Sequence, residues 1–134
     1  MEIFKIMLSE KSIEGDRLPF LIDGKAIRPT HDTYFDSYDP TTGQPWHKIA
    51  EANAEDVNHV VESSLRAFQS SQWANLTQTQ RGELLYKLGD LIGTHADRLA
   101  LIETRDNGKL LKETSAQVSY LRDYYRYFAG ISDK

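Results

Sequence analysis

The spacing of apolar residues changes near Asn53 and divides the chain into an extended part and a helical part. Before Asn53, short apolar runs are separated by turn residues, whereas after it apolar residues recur every three or four positions. Side chains repeat every two residues on a strand and every 3.6 residues on a helix, so this order predicts strands followed by helices. We therefore expect an α+β fold that is mainly helical.

Two turn signals predict two β-hairpins in the extended part. Asp23-Gly24 separates two short apolar runs, and a two-residue hairpin turn needs the positive φ that Gly adopts readily. A second turn, from Asp39 to Gly43, also lies between two extended runs. We expect four short strands here, after a loosely held amino-terminal arm over residues 1–18.

Helical spacing predicts two longer helices, each with a capping residue at its start. Asn53 can cap the first helix, and Thr77 and Gln80 have the spacing of a capping box for the second. The first helix should be amphipathic, with an apolar stripe formed by Val57, Val60, Val61, Leu65 and Phe68. The second should bury a stripe formed by Leu84, Leu85, Leu88, Leu91 and Ile92.

Two further helices follow. One runs from about Ala96 to Asn107 and ends at Gly108, because Gly tolerates the left-handed conformation that commonly terminates helices. The last should close on Gly130 and bury a stripe formed by Val118, Leu121, Tyr125 and Phe128. The predicted strands are too few and too short to cover four helices, so we expect a missing layer on one side.

The composition excludes several kinds of chemistry. The 134 residues include no cysteine, so the chain offers no thiol nucleophile, disulfide or thiolate metal site. The formal net charge of -4 comes from 20 acidic and 16 basic residues without a long run of either sign, which predicts no nucleic-acid or membrane partner. We find no signal peptide and no membrane-spanning run, so we expect a cytoplasmic protein.

Few residues have the spacing of a known site. The four histidines are scattered, and no Gly-rich phosphate-binding loop occurs. Glu103 and Asp106 could act as an acid and base pair, or could be two solvated charges near a helix end. In the last helix, Tyr120, Tyr124 and Tyr127 cannot all join the buried stripe, so some of these rings must face solvent, a partner or a channel.

Six short motifs, in this order, resemble the amino-terminal part of the NAD(P)+-dependent aldehyde dehydrogenase superfamily. They are FLIDGK, YDPTTGQPWHKIAEANAEDVNHVVESSLRAF, a tryptophan at position 73, RGELLYKLGDLI, LALIETRDNGK and YFAGISDK. Each motif is weak alone, but together they are specific. The resemblance implies that residues 19–134 are the amino-terminal helical part of an α/β cofactor-binding domain.

The resemblance also implies the activity of an enzyme that contains this segment, which is oxidation of an aldehyde to a carboxylic acid with NAD or NADP. In the family, a cysteine thiolate attacks the aldehyde, a hydride passes to NAD(P)+, and a glutamate-activated water releases the acid. The cysteine, the glutamate and the dinucleotide-binding strands lie further along the family sequence. We therefore expect this chain alone to be inactive and to bind no dinucleotide. Its expected partners are the remainder of a dehydrogenase chain, further copies in a homo-oligomer, and a small aldehyde.

Two sites are implied by the resemblance. In several relatives, the Asp of an Asp-x-Gly-Lys motif binds a structural monovalent cation together with strand carbonyl groups, which corresponds here to Asp106 with Ser37 and Tyr38. Hard cations prefer such oxygen ligands, although a capping or loop-bracing role for Asp106 stays open.

The last helix lines the aldehyde entrance in relatives, which places Tyr120 in its wall, with Ala116 and Tyr124 as further candidates. A one-residue difference in spacing makes Leu121 an alternative to Tyr120. Aromatic walls would suit an apolar or aromatic aldehyde.

A stand-alone binding or interaction module, which kept the fold and lost the chemistry, is the alternative. Such a module should carry polar residues where the helices of a dehydrogenase pack against the rest of the enzyme. A segment of the enzyme should instead leave apolar side chains exposed. The apolar content of the second and fourth helices favours the segment of an enzyme.

Overall fold

The computed structural model describes residues 17–134. By its internal packing the chain divides into two compact units, of which the first ends at Ala74 and the second begins at Asn75. The described strands and two helices belong to the first unit, and three helices belong to the second. Residues 1–16 of the predicted amino-terminal arm lie outside the described residues.

The described part of the first unit has five short strands, which are β1 (Arg17–Leu18), β2 (Phe20–Ile22), β3 (Lys25–Ile27), β4 (Tyr34–Asp39) and β5 (Gln44–Ala50). Strands β2 and β3 form one antiparallel hairpin, and β4 and β5 form the other, so both predicted hairpins are confirmed. Strand β1 was not expected from the sequence. It pairs in parallel with β5 at the edge of a sheet of order β1-β5-β4.

Turn residues fix both hairpins. Asp23 and Gly24 have φ values of 53° and 71°, and positive φ at both central residues is the requirement of a type I′ turn. In the second hairpin, Gly43 has φ 67° and its N–H donates to the Asp39 carbonyl at 2.7 Å. The Asp39 carboxylate also accepts from the Thr41 N–H at 2.8 Å, which is the local bond that makes Asp a frequent turn residue.

Helix α1 (Ala54–Gln69) begins at a capping box. The Asn53 Oδ1 atom accepts from the Asp56 N–H at 2.9 Å, and the Asp56 carboxylate accepts from the Asn53 N–H at 3.1 Å. The same carboxylate accepts from the Thr30 N–H at 3.0 Å and from the Thr30 hydroxyl at 2.6 Å. The Thr30 hydroxyl is the main reason why the pKa of Asp56 lies below its ordinary value. Asp56 therefore fastens the loop before β4 to the start of the helix.

The apolar stripe of α1 is exposed, which is the arrangement expected for a segment of an enzyme. Val61 is 59% exposed and Phe68 is 70% exposed, whereas the buried residues of the helix are Asp56 and Ser63. A hydrophobic pattern shows which face of a helix favours contact with other apolar groups, but it does not show that the partner lies in the same stretch of chain. A single helical turn, α2 (Ser71–Ala74), follows α1.

The second unit consists of three helices, which are α3 (Gln78–Thr94), α4 (Ala96–Asn107) and α5 (Leu111–Ile131). The predicted capping box at the start of α3 is confirmed, because the Gln80 N–H donates to Thr77 Oγ1 at 3.2 Å and the Thr77 N–H donates to Gln80 Oε1 at 2.9 Å. Helix α4 ends, as expected, at Gly108, which has φ 77°. Helix α5 does not close on Gly130 but continues to Ile131.

Glycines on α3 form the surface that contacts α5. A Cβ atom at Gly82 would lie 2.8 Å from the Ala129 carbonyl oxygen, and one at Gly89 would lie 3.0 Å from the Arg122 carbonyl oxygen. The distance at Gly82 is too short for a side-chain carbon, and a carbon at Gly89 would have to displace its neighbour by a few tenths of an ångström, so the absence of side chains favours the close approach of the two helices. The leucines expected to fill this contact lie partly outside it, since Leu84 and Leu91 are exposed.

Helix α5 presents small residues toward its neighbours. Its buried residues are Thr114, Val118 and Ala129. Val118 was expected at a buried position, but Leu121 and Phe128 are exposed, so that part of the predicted stripe was wrong. The backbone carbonyl oxygens of Arg122 and Ala129 lie against the glycine face of α3.

Candidate functional site

The connection between α4 and α5 carries a closed network of polar side chains. Lys109 Nζ donates to Glu103 Oε1 on α4 at 2.8 Å and to Gln117 Oε1 on α5 at 3.3 Å. Asn107 joins the same groups, because its Nδ2 donates to Glu103 Oε1 at 3.4 Å and its Oδ1 accepts from the Lys109 N–H at 2.9 Å. The network ties the end of α4 to the second turn of α5.

Glu103 is a paired carboxylate. The hydrogen bond from Lys109 is the main reason why the pKa of Glu103 lies below its ordinary value. A carboxylate in this state holds no proton at neutral pH, so the geometry favours a charge pair over the general acid considered from the sequence. Asp106 lies exposed at the position before the last residue of α4.

The other two residues of the expected cation site, Ser37 and Tyr38, lie on β4 in the first unit. The pairing of β4 with β5 shifts between them, from Ser37 opposite His47 to Tyr38 opposite Pro45. A register shift interrupts the hydrogen-bond ladder, and proline has no N–H to donate.

Clusters of metal-binding side chains are absent from the part of the chain that the structure describes. Over residues 17–134, no group of three or more His, Asp or Glu side chains is arranged to hold a metal ion.

The residues expected at the aldehyde entrance lie along one exposed face of α5. Ala116, Tyr120, Tyr124 and Phe128 follow each other at intervals of four residues, which places them on the same side of the helix, and we name them the α5 stripe. The ring centroids of Tyr120 and Tyr124 are 6.2 Å apart, and those of Tyr124 and Phe128 are 4.7 Å apart. Leu121, the alternative to Tyr120, is also exposed. The stripe thus presents a nearly continuous aromatic surface.

Gln117 lies on the same side of α5, and sequence reasoning missed it. Its position three residues before Tyr120 and seven before Tyr124 places it beside the α5 stripe. The only signal in the sequence was a lysine eight residues earlier, at Lys109. A pairing across a turn depends on the turn geometry, which the sequence pattern does not specify.

A model of the aldehyde dehydrogenase family matches residues 27–134. The chain belongs to the aldehyde dehydrogenase family. The match begins at the last residue of β3 and extends to the end of the chain, so it includes the α4–α5 network and the α5 stripe. The family resemblance expected from six short motifs is therefore confirmed.

Two dehydrogenases illustrate how this family member resembles its relatives. The chain is 51% identical over 100 residues to (Z)-2-((N-methylformamido)methylene)-5-hydroxybutyrolactone dehydrogenase of Acinetobacter baylyi. The matched region covers 75% of this chain and 20% of that protein. It is 36% identical over 126 residues to phenylacetaldehyde dehydrogenase of Pseudomonas fluorescens, and the matched region covers 92% of this chain and 25% of that protein. The chain thus spans about a fifth to a quarter of the length of these relatives.

Solved aldehyde dehydrogenase structures share the fold. Betaine aldehyde dehydrogenase from Staphylococcus aureus, in complex with NAD+, matches with a TM-score of 0.82 at 30% identity, over 87% of this chain and 24% of that chain. An NAD-dependent aldehyde dehydrogenase from Sinorhizobium meliloti matches with a TM-score of 0.84 at 27% identity, over 94% of this chain and 25% of that chain. The expected mainly helical fold with amino-terminal strands is therefore confirmed. Of the helices between residues 17 and 134, none has the length and apolar character needed to cross a membrane.

Proposed function

We propose that this chain is the amino-terminal part of an NAD(P)+-dependent aldehyde dehydrogenase, which oxidises an aldehyde to a carboxylic acid. The observation that carries the proposal is the exposed apolar face of α1, formed by Val57, Val61, Leu65 and Phe68, in a chain that matches the family. An exposed apolar face of this kind marks a surface that contacts another part of a protein. The remainder of a dehydrogenase chain is the partner that fits this proposal.

The charges of α1 support this partner over the stand-alone module. Glu62 and Arg66 approach to 4.0 Å from each other, and their helical positions lie away from the face formed by Val57 and Val61. The apolar face therefore carries no charged residue. A module that functions alone would be expected to place polar residues there.

The chemistry of the whole enzyme would come mainly from residues beyond this chain. The chain has no cysteine, so the nucleophile of the family reaction has to be supplied by the remainder. NAD or NADP, when bound there, accepts the hydride. Within this proposal the chain alone oxidises no aldehyde and binds no dinucleotide, and the enzyme is a cytoplasmic homo-oligomer.

The cation site is part of the proposal. Asp106 lies at the carboxyl end of α4, where the helix dipole favours positive charge. The family resemblance supplies the carbonyl groups of Ser37 and Tyr38 as the further ligands in this proposal. In an enzyme that contains this chain, replacing sodium chloride with choline chloride should lower the melting temperature. The substitution Asp106→Asn should abolish that difference, whereas an unchanged difference would contradict the site.

The α5 stripe is the proposed wall of the aldehyde entrance, with Tyr120 as its main residue and Ala116 and Tyr124 beside it. Tyr120 is 64% exposed, so its ring is free to contact a bound molecule. An aromatic wall favours apolar or aromatic aldehydes through contact area and ring stacking.

A hybrid enzyme tests the proposal. Residues 27–134 of this chain would replace the matching residues of the Acinetobacter baylyi relative, and NAD(P)H formation would be measured with phenylacetaldehyde. We expect a folded hybrid that oxidises the aldehyde, while this chain alone forms no NAD(P)H. The matched control replaces the same residues with those of the Pseudomonas fluorescens relative. An inactive hybrid beside an active control would contradict the proposal.

A further inference from the structure

Asn107 and Gly108 form a chemically reactive pair at the turn between α4 and α5. The backbone nitrogen that follows an asparagine can attack the side-chain carbonyl carbon of that asparagine and close a five-membered succinimide ring. Glycine favours this attack because it has no side chain to hinder the approach. Both residues are exposed, so water reaches them. The turn therefore presents both reacting groups of a spontaneous reaction to solvent.

The electrophile of this reaction, the side-chain carbonyl of Asn107, is held and polarised. Its Oδ1 accepts from the Lys109 N–H at 2.9 Å, which is the local bond that asparagine makes in turns. A donor at this oxygen stabilises the negative charge that develops when the carbonyl carbon is attacked. The leaving group, Nδ2, lies 3.4 Å from Glu103 Oε1. The amide is thus fixed at both ends, with its carbonyl carbon activated.

The nucleophile, the backbone nitrogen of Gly108, is engaged elsewhere. Its N–H donates to the Thr104 carbonyl at 2.9 Å, and this bond closes the last turn of α4. The nitrogen attacks only after it has lost this proton and has turned toward the Asn107 side chain. The reaction therefore requires the last turn of α4 to open. A helix end opens locally at a much lower free energy than the whole fold.

Lys109 opposes this opening. Its Nζ donates to Glu103 on α4 at 2.8 Å and to Gln117 on α5 at 3.3 Å. These bonds hold the residue after Gly108 to both helices, so a movement of the turn has to break them. Without the Lys109 side chain, fewer bonds keep the Gly108 nitrogen in place.

We infer that Asn107 is a site of spontaneous deamidation, and that Lys109 slows the reaction by keeping the last turn of α4 closed. In the first step, a bond forms between the Gly108 nitrogen and Asn107 Cγ, and the bond between Cγ and Nδ2 breaks. The amide group leaves as ammonia, with the proton that the Gly108 nitrogen has lost. Water then opens the succinimide and leaves aspartate or isoaspartate at position 107. The reaction consumes one water molecule and involves no oxidation or reduction.

The product weakens the contacts that protect the site. The new carboxylate takes the place of an amide that lies 3.4 Å from Glu103 Oε1, so repulsion between two negative charges replaces a hydrogen bond. Isoaspartate also adds a methylene carbon to the backbone, which displaces Gly108 from its bond with Thr104. Deamidation therefore loosens the connection between α4 and α5.

The test follows deamidation of the 134-residue chain in mildly alkaline buffer, by peptide mapping with mass spectrometry. Each rate is compared with that of a peptide of residues 103–113 that carries the same substitution, so that effects on intrinsic reactivity cancel. The original chain should react between about tenfold and a hundredfold more slowly than its peptide, because the turn is open for only part of the time. A rate equal to that of the peptide, or below about a hundredth of it, would overturn the inference.

Two matched variants test the role of Lys109. Lys109→Met should raise the rate about threefold relative to its own peptide, because opening the turn no longer breaks the bonds of Nζ. Lys112→Met makes the same change at an exposed position in the first turn of α5, and it should leave the ratio unchanged. Equal ratios for the two variants would show that Lys109 does not control the reaction.

A further variant tests the effect of the product. Asn107→Asp should lower the melting temperature of the chain, and the decrease should be smaller when Glu103→Gln is also present, because one of the two repelling charges is then absent. A decrease that does not depend on Glu103 would contradict the proposed repulsion.

Discussion

Thr104 Oγ1 and Thr114 Oγ1 lie 2.8 Å apart between α4 and α5, at a point where Thr114 has no exposed surface. Because Thr114 Oγ1 donates to the Leu111 carbonyl at 3.1 Å, it accepts the hydrogen of the Thr104 hydroxyl. The buried hydroxyl is thus satisfied both as donor and as acceptor. It joins the two helices that also hold the Lys109 network.

Replacing Thr114 with valine should lower the free energy of unfolding by about 1–2 kcal/mol, because valine fills the same volume without a hydroxyl and leaves Thr104 without its acceptor. Urea unfolding followed by circular dichroism measures the change. The double variant Thr104→Val with Thr114→Val should lower the free energy of unfolding by less than the sum of the two single-variant losses, since no hydroxyl is then left unpaired. Additive single effects would show that the two hydroxyls are not coupled.

Gly82→Ala should destabilise the second unit by about 1–3 kcal/mol, because the added Cβ would lie against the Ala129 carbonyl oxygen. This loss opposes the higher helix propensity of alanine. Gly130→Ala is the matched control, since its Cβ would meet only the Tyr86 hydroxyl at 3.3 Å. The control should leave stability unchanged or raise it by up to about 1 kcal/mol. Equal melting temperatures for the two variants would contradict the close approach of α3 and α5.

The first unit should lose stability in acid because of Asp56. Its pKa is lowered in the folded chain, chiefly by the Thr30 hydroxyl, so the carboxylate stabilises the fold above its unfolded pKa, near 3.9. This contribution disappears as the pH falls from about 4 through the lower folded value. Urea unfolding between pH 3 and pH 7 should show a weaker pH dependence in Asp56→Asn than in the original chain. Glu55→Gln, at an exposed neighbouring position, should leave the dependence unchanged, and an equal effect of both variants would argue against the role of Thr30.

The exposed face of α1 should contribute little to the stability of the chain alone. Phe68→Ala should change the free energy of unfolding by less than about 0.5 kcal/mol, because the side chain is 70% exposed. Val118→Ala, at a residue only 4% exposed, should cost about 1.5 kcal/mol. In the hybrid enzyme, Phe68→Ala should lower stability more than Val118→Ala does, since Phe68 would then be buried against the remainder of the enzyme. A large loss for Phe68→Ala in the chain alone would show that this face is already covered.

Local chemistry made the helix and turn boundaries predictable. The capping box at Thr77 and Gln80, the hairpin turn at Asp23-Gly24 and the left-handed Gly108 all depend on bonds or conformations within a few residues. The elements that such signals define were therefore predicted closely. Gly130 is the exception, because it lies within α5, which continues to Ile131.

Contacts between distant residues were not predictable in the same way. Asp56 accepts two hydrogen bonds from Thr30, 26 residues earlier, and no local pattern indicates this contact. The buried face of α3 was assigned to leucines, whereas Gly82 and Gly89 form it. An apolar pattern records hydrophobic side chains and cannot register a contact that depends on the absence of a side chain. The entrance residues Ala116, Tyr120 and Tyr124 and the cation site around Asp106 stay predictions.

Strand β1 has a consequence for the order in which the first unit folds. Among residues 17–134 it pairs through Arg17 and Leu18, and their partners Lys48 and Ile49 lie roughly thirty residues further along the chain. The β4–β5 hairpin joins neighbouring segments, so it closes a short loop and can form within microseconds. The parallel pairing of β1 with β5 has to close a much longer loop, and it gains the two residue pairs described here in return. We expect β1 to join the sheet last during folding and to exchange its amide hydrogens first in the folded protein.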